Sequence, residues 1–258
     1  MLLRTLLLLT ALTTAEATLP RRADAPAPAP KTLAVLYFDN RTGSSDYDAL
    51  GKGLAAMMIT DLAAVEALQV VEREHLQEVL QEMERQRSQY FDQSTAVRAG
   101  KLVGAQYILA GQISAVKPRV RLDTRLIDVS TSEIVKTAQV TGDEEKFFDL
   151  QRRLAKNLID GLEIALSPEA QAQLEAQQEA NRIDRLGTMV QLSEAISLFD
   201  RGEYPDAVLK MGPVVRSQPK TLVVQLTYEE MKRRAAEKTR EKSKQKTREF
   251  IRGILKPN

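Results

Sequence analysis

The spacing of apolar residues changes along this chain, and the change limits the folds it can adopt. Between residues 33 and 114, short apolar runs alternate with stretches whose apolar residues return every three or four positions, the period of an amphipathic helix. After Val120, apolar and polar residues alternate strictly, which is the period of a half-buried strand. Strands that alternate with helices, followed by a meander of strands, predict an α/β (α+β) fold, with a mixed sheet and helices packed on it.

About five segments have the composition of strands. The first, residues 33–38, is apolar on both faces and predicts a buried central strand. The others are residues 68–72, 106–114, 120–126 and 134–140.

Four helices are predicted in the same region. One starts at Leu50, one covers residues 76–83 with Tyr90 extending its face, and a third is capped by Ser94. The fourth is capped by Asp143 and carries its apolar residues inward. We therefore expect a domain over residues 31–166.

The remainder is predicted to be an all-α module. Ser167 and Pro168 favour a helix start, and residues 167–221 show helical spacing throughout. Within them, five residues are spaced in a way that is similar to one tetratricopeptide helical hairpin: Ala195, Gly202, Tyr204, Ala207 and Pro219. One repeat cannot bury its own face, so we expect it to pack on flanking helices or on a partner. Pro213 falls inside its second helix.

The two ends of the chain have distinct compositions. Residues 1–17 combine Arg4, an apolar stretch and the triplet ending at Ala17, the pattern of a cleaved secretory signal peptide. The apolar stretch is short of the ~20 residues that cross a bilayer, and no later segment is a candidate transmembrane helix. Residues 18–30 predict a stiff Pro/Ala linker. The chain contains no cysteine, which excludes disulfides and lipid attachment at cysteine.

The last segment, residues 222–258, predicts a basic, charge-laced helix. Eleven Lys/Arg and five Glu lie within residues 229–258. Such an excess fits nucleic acid or an anionic membrane. However, an exported protein rarely meets nucleic acid, and residues 229–250 lack a large apolar face. A solvated extension, or contact with an acidic partner, is the interpretation favoured.

The stretch from residue 39 to 58 raises the question of nucleotide chemistry, because it is a Gly/Ser-rich turn between a strand and a helix. A P-loop needs two glycines five positions apart, then Lys and a hydroxyl residue. Here Gly43 and Gly51 are eight apart, and Lys52 is followed by Gly53. The pattern favours a site where missing side chains let the helix approach the sheet, and a nucleotide-dependent enzyme is the alternative.

Other reactive residues are scarce, so no catalytic, cofactor-binding or metal-binding residue is predicted. His75 is the single histidine and predicts a solvated surface residue. The acidic pairs are placed where turns and helix starts favour carboxylates, which explains them better than metal binding. These pairs are Asp46 with Asp48 and Glu144 with Glu145.

Three arginines are expected on the outer face of the hairpin. Arg119, Arg121 and Arg125 alternate with apolar residues, and Asp123 lies among them. A solvated face is the favoured interpretation, and grip on an anionic surface is the alternative.

Four blocks of the sequence carry a family resemblance. They resemble, in order, the curli-secretion-channel family (CsgG-type, with relatives described as TolB N-terminal-like or flagellar outer-membrane accessory domains). The blocks are KTLAVLYFDNRTG, LGKGLAAMMITDLAAVEALQVVER, AGKLVGAQYILAGQIS and VRLDTRLIDVSTSEIV. The resemblance covers about half the chain. It implies a periplasmic α/β domain in a non-enzymatic component of envelope assembly, secretion or regulation, and several members form rings.

Two departures limit what the resemblance implies. Channel-forming members carry an acylated cysteine and two long membrane hairpins, whereas this chain has no cysteine and joins its strands by short links. The pore function is therefore not carried over.

The predicted function is a non-enzymatic periplasmic scaffold or adaptor that binds envelope proteins without a cofactor. Self-association and peripheral contact with the outer membrane are left open, and nucleic acid is not expected as a partner. A regulator of peptidoglycan synthesis is the alternative, followed by an outer-membrane secretion channel subunit.

Overall fold

The computed structural model describes residues 29–84, 92–115, 119–143, 146–183 and 185–254. The predicted signal peptide, most of the linker and Tyr90 lie outside these residues. Within the described part, no helix is both long and apolar enough to cross a membrane.

Six strands form a single mixed sheet. They are β1 (Lys31–Val35), β2 (Asp39–Asn40), β3 (Leu68–Val70), β4 (Tyr107–Ala115), β5 (Val120–Asp128) and β6 (Ile134–Gly142). The order is β3-β1-β4-β5-β6, and the two-residue β2 also pairs with β4. The first three strands of this order run parallel and the last three antiparallel, which confirms the mixed sheet with a meander.

Eight helices accompany the sheet in the described part of the chain. The first four are α1 (Leu50–Leu62), α2 (Arg73–Glu84), α3 (Gln93–Leu102) and α4 (Phe147–Gly161). The last four are α5 (Pro168–Ala180), α6 (Leu186–Asp200), α7 (Tyr204–Ser217) and α8 (Leu222–Ile254). An α/β region followed by an all-α region is the predicted fold class.

Helices cover both faces of the sheet. Leu109 and Leu126 lie opposite each other in β4 and β5, and Leu126 contacts Gly161 of α4. Ile108 points to the other face, where it lies near Gly100 of α3. Helices α1 and α4 contact each other on one face, and α2 and α3 contact each other on the other face. The core therefore lies on both sides of β1 and β4.

Several predicted boundaries differ from the structure. The first strand ends at Val35, although Leu36 N still donates to the Leu109 carbonyl oxygen and residues 36–38 stay buried. The third helix is capped by Asp92, whose carboxylate accepts from Thr95 N, and Ser94 lies inside the helix. Asp143 does not cap α4, since its N-cap is Lys146 and that cap has no side-chain hydrogen bond.

The start of the helical region agrees with the sequence pattern. Ser167 Oγ accepts a hydrogen bond from Ala170 N, and Pro168 opens α5. Gly202 has a φ of +75° between α6 and α7, where a residue with a Cβ atom would be strained. Helix α7 continues through Pro213. The division into domains at residues 166 and 221 remains a prediction.

Candidate functional site

The Gly51-Lys52-Gly53 stretch lies in the first turn of α1, where it contacts two different parts of the protein. A Cβ atom at residue 51 would lie 1.9 Å from the Phe38 carbonyl oxygen, and one at residue 53 would lie 2.0 Å from Ser193 Oγ. Both glycines therefore permit close packing, as the sequence pattern indicated. Only Gly51 faces the strand end, whereas Gly53 faces α6 of the helical region.

Lys52 is held by a carboxylate far away in the chain. Its Nζ lies 2.8 Å from Asp200 Oδ2, and its side chain retains 18% exposure. Nζ also lies 5.1 Å from the centre of the Tyr37 ring. The ammonium is thus engaged by the C-terminal end of α6 and by the sheet domain together.

Asp200 is the centre of a buried polar group that we name the Asp200 cluster: Tyr37, Lys52, Arg73, Gln77 and Asp200. Arg73 donates to Asp200 Oδ1 over 2.6 Å, and the Asp200 side chain is only 2% exposed. Both carboxylate oxygens are therefore occupied by cationic donors, an arrangement that offsets the desolvation of the charge.

Tyr37 completes the cluster at the end of the first strand segment. Its hydroxyl lies 2.7 Å from Gln77 Oε1 and 3.2 Å from Asp200 Oδ2. Burial, and then the nearby Asp200 carboxylate, raise the pKa of the Tyr37 phenol well above its ordinary value. The phenol therefore stays protonated and serves as a donor. The cluster links α1 and α2 to α6, and its role is therefore structural.

A second buried carboxylate, Asp61, connects α1 to three other helices. Its oxygens accept from Gln151 Nε2 on α4 and from Asn181 Nδ2 over 2.6 Å at the end of α5. Asn181 Oδ1 in turn accepts from Val223 N in α8 over 2.8 Å. Burial raises the pKa of Asp61 to about 6, and its two amide donors oppose that rise.

A cavity of about 950 Å³ lies between α4 and α5, beside the end of the sheet. Its apolar floor includes Leu150, Ile159 and Leu174, and its rim mixes cations with carboxylates. Arg119 borders this cavity beside Asp143, with 3.6 Å between their charged groups. Arg119 and Arg121 are both exposed, and their carboxylate partners are Asp143 and Asp123 respectively.

The other candidates from the sequence lie apart from one another. His75 is exposed, and Asp48 Oδ1 accepts from Asn40 Nδ2 within the 39–48 loop. Partial burial of the Asp123 carboxyl would raise its pKa, but hydrogen bonds donated first by Ser114 and then by Arg121 hold that pKa below its usual value.

Arg125 lies within β5, and Asp46 is the middle residue of a 3₁₀ turn, Ser45–Tyr47. Glu144 and Glu145 lie outside the described residues. Across the described ranges, no group of three or more His, Asp or Glu side chains is arranged to hold a metal ion.

Sequence reasoning missed the Asp200 cluster and Asp61. The signal for Asp61 was present, because a carboxylate lies on the same helical face as Leu54, Met58 and Leu62. A charged residue on a buried stripe has to find donors. Asp200 offered no comparable signal, since it ends a helix where a solvated carboxylate is common.

Comparison with protein families gives one match. The model of the family "Curli production assembly/transport component CsgG" matches residues 21–121. A curated relative, "Putative adenylate cyclase 3" of Rhizobium meliloti (strain 1021), is 24% identical over 141 residues. That match covers 54% of this chain but only 22% of the relative, so the chain corresponds to about a fifth of that protein's length.

Solved structures were also compared. The LpoB C-terminal domain from Salmonella enterica is 23% identical, with 46% of this chain and 86% of that chain covered and a TM-score of 0.37. A PelC dodecamer from Paraburkholderia phytofirmans is 19% identical, with 54% and 94% covered and a TM-score of 0.35. Residues 21–121 are thus similar to the CsgG family, in agreement with the resemblance that the sequence blocks carry.

Proposed function

We propose that this protein is a non-enzymatic scaffold of the periplasm that binds envelope proteins during assembly or secretion. The family match supports an assembly or transport role, because the family is described as an assembly/transport component. Residues 1–17 support export, since they have the composition of a signal peptide.

The observation that carries the proposal is the junction at α1. The stretch that most resembles a nucleotide loop makes internal contacts there instead. Gly51 packs against Phe38, Gly53 packs against Ser193, and Lys52 forms an ion pair with Asp200. The same contacts fasten α6 to the CsgG-like domain. The outward sides of α7 and α8 are then presented on a fixed support, a suitable arrangement for binding partners.

Two exposed leucines mark where a partner would bind. Leu209 on α7 is 74% exposed and Leu226 on α8 is 56% exposed. A partner that covers these side chains would remove apolar surface from water, which is favourable. We therefore assign the α7–α8 surface as the contact region of the scaffold.

Site-specific photocrosslinking in living cells tests this assignment. A photoreactive phenylalanine analogue replaces Leu209 or Leu226, and the equally exposed Lys156 on α4 serves as control. Defined adducts with envelope proteins at the two leucines, absent at Lys156, are expected. An identical adduct pattern at all three positions, or none at any, would contradict the scaffold.

An enzyme test uses the same purified protein. A nucleotide at a hundred times its Kd would add about 2.7 kcal/mol to the unfolding free energy. We expect no rise of Tm with ATP or GTP, because Lys52 is already paired. A rise of Tm that is lost in Lys52→Met would support a nucleotide-dependent enzyme instead.

A further inference from the structure

Helix α8 divides into two parts that differ in their contacts. The first part packs against α7, and its charges are neutralised within the helix: Arg233 and Arg234 pair with Glu230, and Arg233 also pairs with Glu237. Lys238 ends this part by donating to the Gly202 carbonyl oxygen. The first part is therefore a satisfied element of the body.

The second part, from Thr239 onwards, does not pack against the rest of the protein. Every residue from 239 to 249 is exposed. Five cations lie within residues 239–249, and among the described residues none has an ion-pair partner: Arg240, Lys242, Lys244, Lys246 and Arg248. We name these residues, 239–254, the distal segment of α8.

The cations of the distal segment lie on two sides of one neutral strip. At 100° per residue, Lys242 and Lys246 share one flank, and Lys244 and Arg248 share the other. Between the flanks lies a row of hydroxyl residues at every fourth position: Thr239, Ser243 and Thr247. Thr239 and Thr247 donate to the carbonyl oxygens of Ala235 and Ser243, so their hydroxyls do not depend on water.

The helix does not end where the basic residues end. It continues to Ile254, and Ile251 follows Thr247 at the same spacing of four residues. Ile251 is 49% exposed although it is large and apolar. A neutral strip that ends in an exposed apolar residue, with cations on both flanks, suits a helix that lies at a lipid interface.

We propose that the distal segment of α8 docks on an anionic lipid surface. Cations on both flanks reach the headgroups along aliphatic stems, while Ile251 enters the acyl boundary. An acidic protein would pair equally well with the cations, but it would give no reason for the exposed Ile251 on the same strip. Each Lys or Arg near such a surface strengthens binding about fivefold, and salt weakens the attraction.

Co-sedimentation with vesicles tests the proposal. The chain from residue 18 onwards is used, so that residues 1–17 cannot themselves bind lipid. Vesicles of phosphatidylcholine with phosphatidylglycerol are compared with pure phosphatidylcholine. We expect binding to the anionic vesicles only, and release as salt rises from about 0.1 to 0.5 M.

Three variants locate the contact. A triple variant, Lys242→Gln with Lys244→Gln and Lys246→Gln, is expected to weaken binding by about tenfold or more. The variant Ile251→Asp is expected to weaken vesicle binding although all the basic residues are retained. The control is Lys101→Gln with Lys156→Gln and Lys220→Gln, which removes the same charge from exposed lysines elsewhere and leaves binding unchanged.

The outcomes separate the alternatives. Failure of the unaltered chain to sediment with anionic vesicles overturns the proposal, as does equal loss in the control. Retention on polyglutamate resin without any vesicle binding also overturns it, in favour of an acidic protein. Far-ultraviolet circular dichroism checks that every variant keeps its helix content. Photocrosslinking at Leu209 is an independent readout, so loss of lipid binding does not decide the scaffold function.

Discussion

Gly51 and Gly53 are two positions apart in α1, yet a methyl group would meet different obstacles at each. At residue 51 the obstacle is the backbone of Phe38, which cannot move without the strand. At residue 53 it is the Ser193 hydroxyl, which can rotate at the loss of its bond to the Met189 carbonyl oxygen. The two glycines should therefore tolerate substitution unequally.

Gly51→Ala is expected to lower the free energy of unfolding by about 1–3 kcal/mol or more, as overpacking does in a well-packed core. Gly53→Ala is expected to cost less. Urea denaturation measures both, and Gly187→Ala is the control because a Cβ atom there meets nothing within 4 Å. A Gly51→Ala protein as stable as the unaltered one would contradict this packing.

Asp61 makes stability depend on pH. Burial raises its pKa to about 6 in the folded protein, from an ordinary value of 3.8. The folded state thus favours the protonated form, so the contribution is fully present below about pH 4 and is lost as pH rises through about 6. A difference of roughly two pKa units corresponds to about 3 kcal/mol.

Asp61→Asn is expected to remove the loss of stability as pH rises, and to be at least as stable as the unaltered protein at pH 7.5. The buried Gln151 Oε1 has no partner among the described residues, and a flipped Gln151 amide would accept from the new Asn. Thermal unfolding between pH 4.5 and 7.5 measures the slope. Asp143→Asn, at an exposed carboxylate, is the control, and an unchanged slope in Asp61→Asn would contradict the assignment.

At the level of elements, the Asp200 cluster holds α6 against α1 and α2. Asp200→Ala is expected to destabilise the protein by about 3–5 kcal/mol, because it removes the buried carboxylate that pairs with both Arg73 and Lys52. Lys52→Met should cost much less, since Lys52 is 18% exposed and Arg73 still pairs with Asp200. Urea denaturation ranks the two, and equal losses would show that the cluster does not act through its buried charge.

The elements themselves were largely predictable from the sequence, because periodicity is a local property. The strands from Tyr107 to Gly142 and the turn at Gly202 follow from alternation and from a residue that tolerates positive φ. Contacts between distant residues were not predictable. Arg73 and Asp200 are 127 positions apart, and neither residue carries a local signal of its partner.

Cap positions were also predicted incompletely. Both Asp92 and Ser94 are good capping residues, and the structure uses Asp92 as the cap while Ser94 Oγ donates to the same carboxylate. The contact of Gly53 with α6 needed the position of a helix about 140 residues further along. The sequence therefore indicated close packing without its partner.

For the molecule as a whole, the central claim is that the CsgG-like domain and the helices after it form one supported body. Gly53, the Asp200 cluster and the Asp61–Asn181–Val223 chain of hydrogen bonds all cross between the two regions. If these contacts dominate, the two regions unfold together, and the α7–α8 surface keeps a fixed place relative to the sheet.

Hydrogen exchange measured by mass spectrometry at increasing urea tests this claim most directly. Peptides from β4 and from α6 are predicted to open with the same free energy, and Asp200→Ala should lower both equally. Opening of α6 to α8 at a clearly lower free energy, while β4 stays protected, would contradict a single body and with it the support for the scaffold.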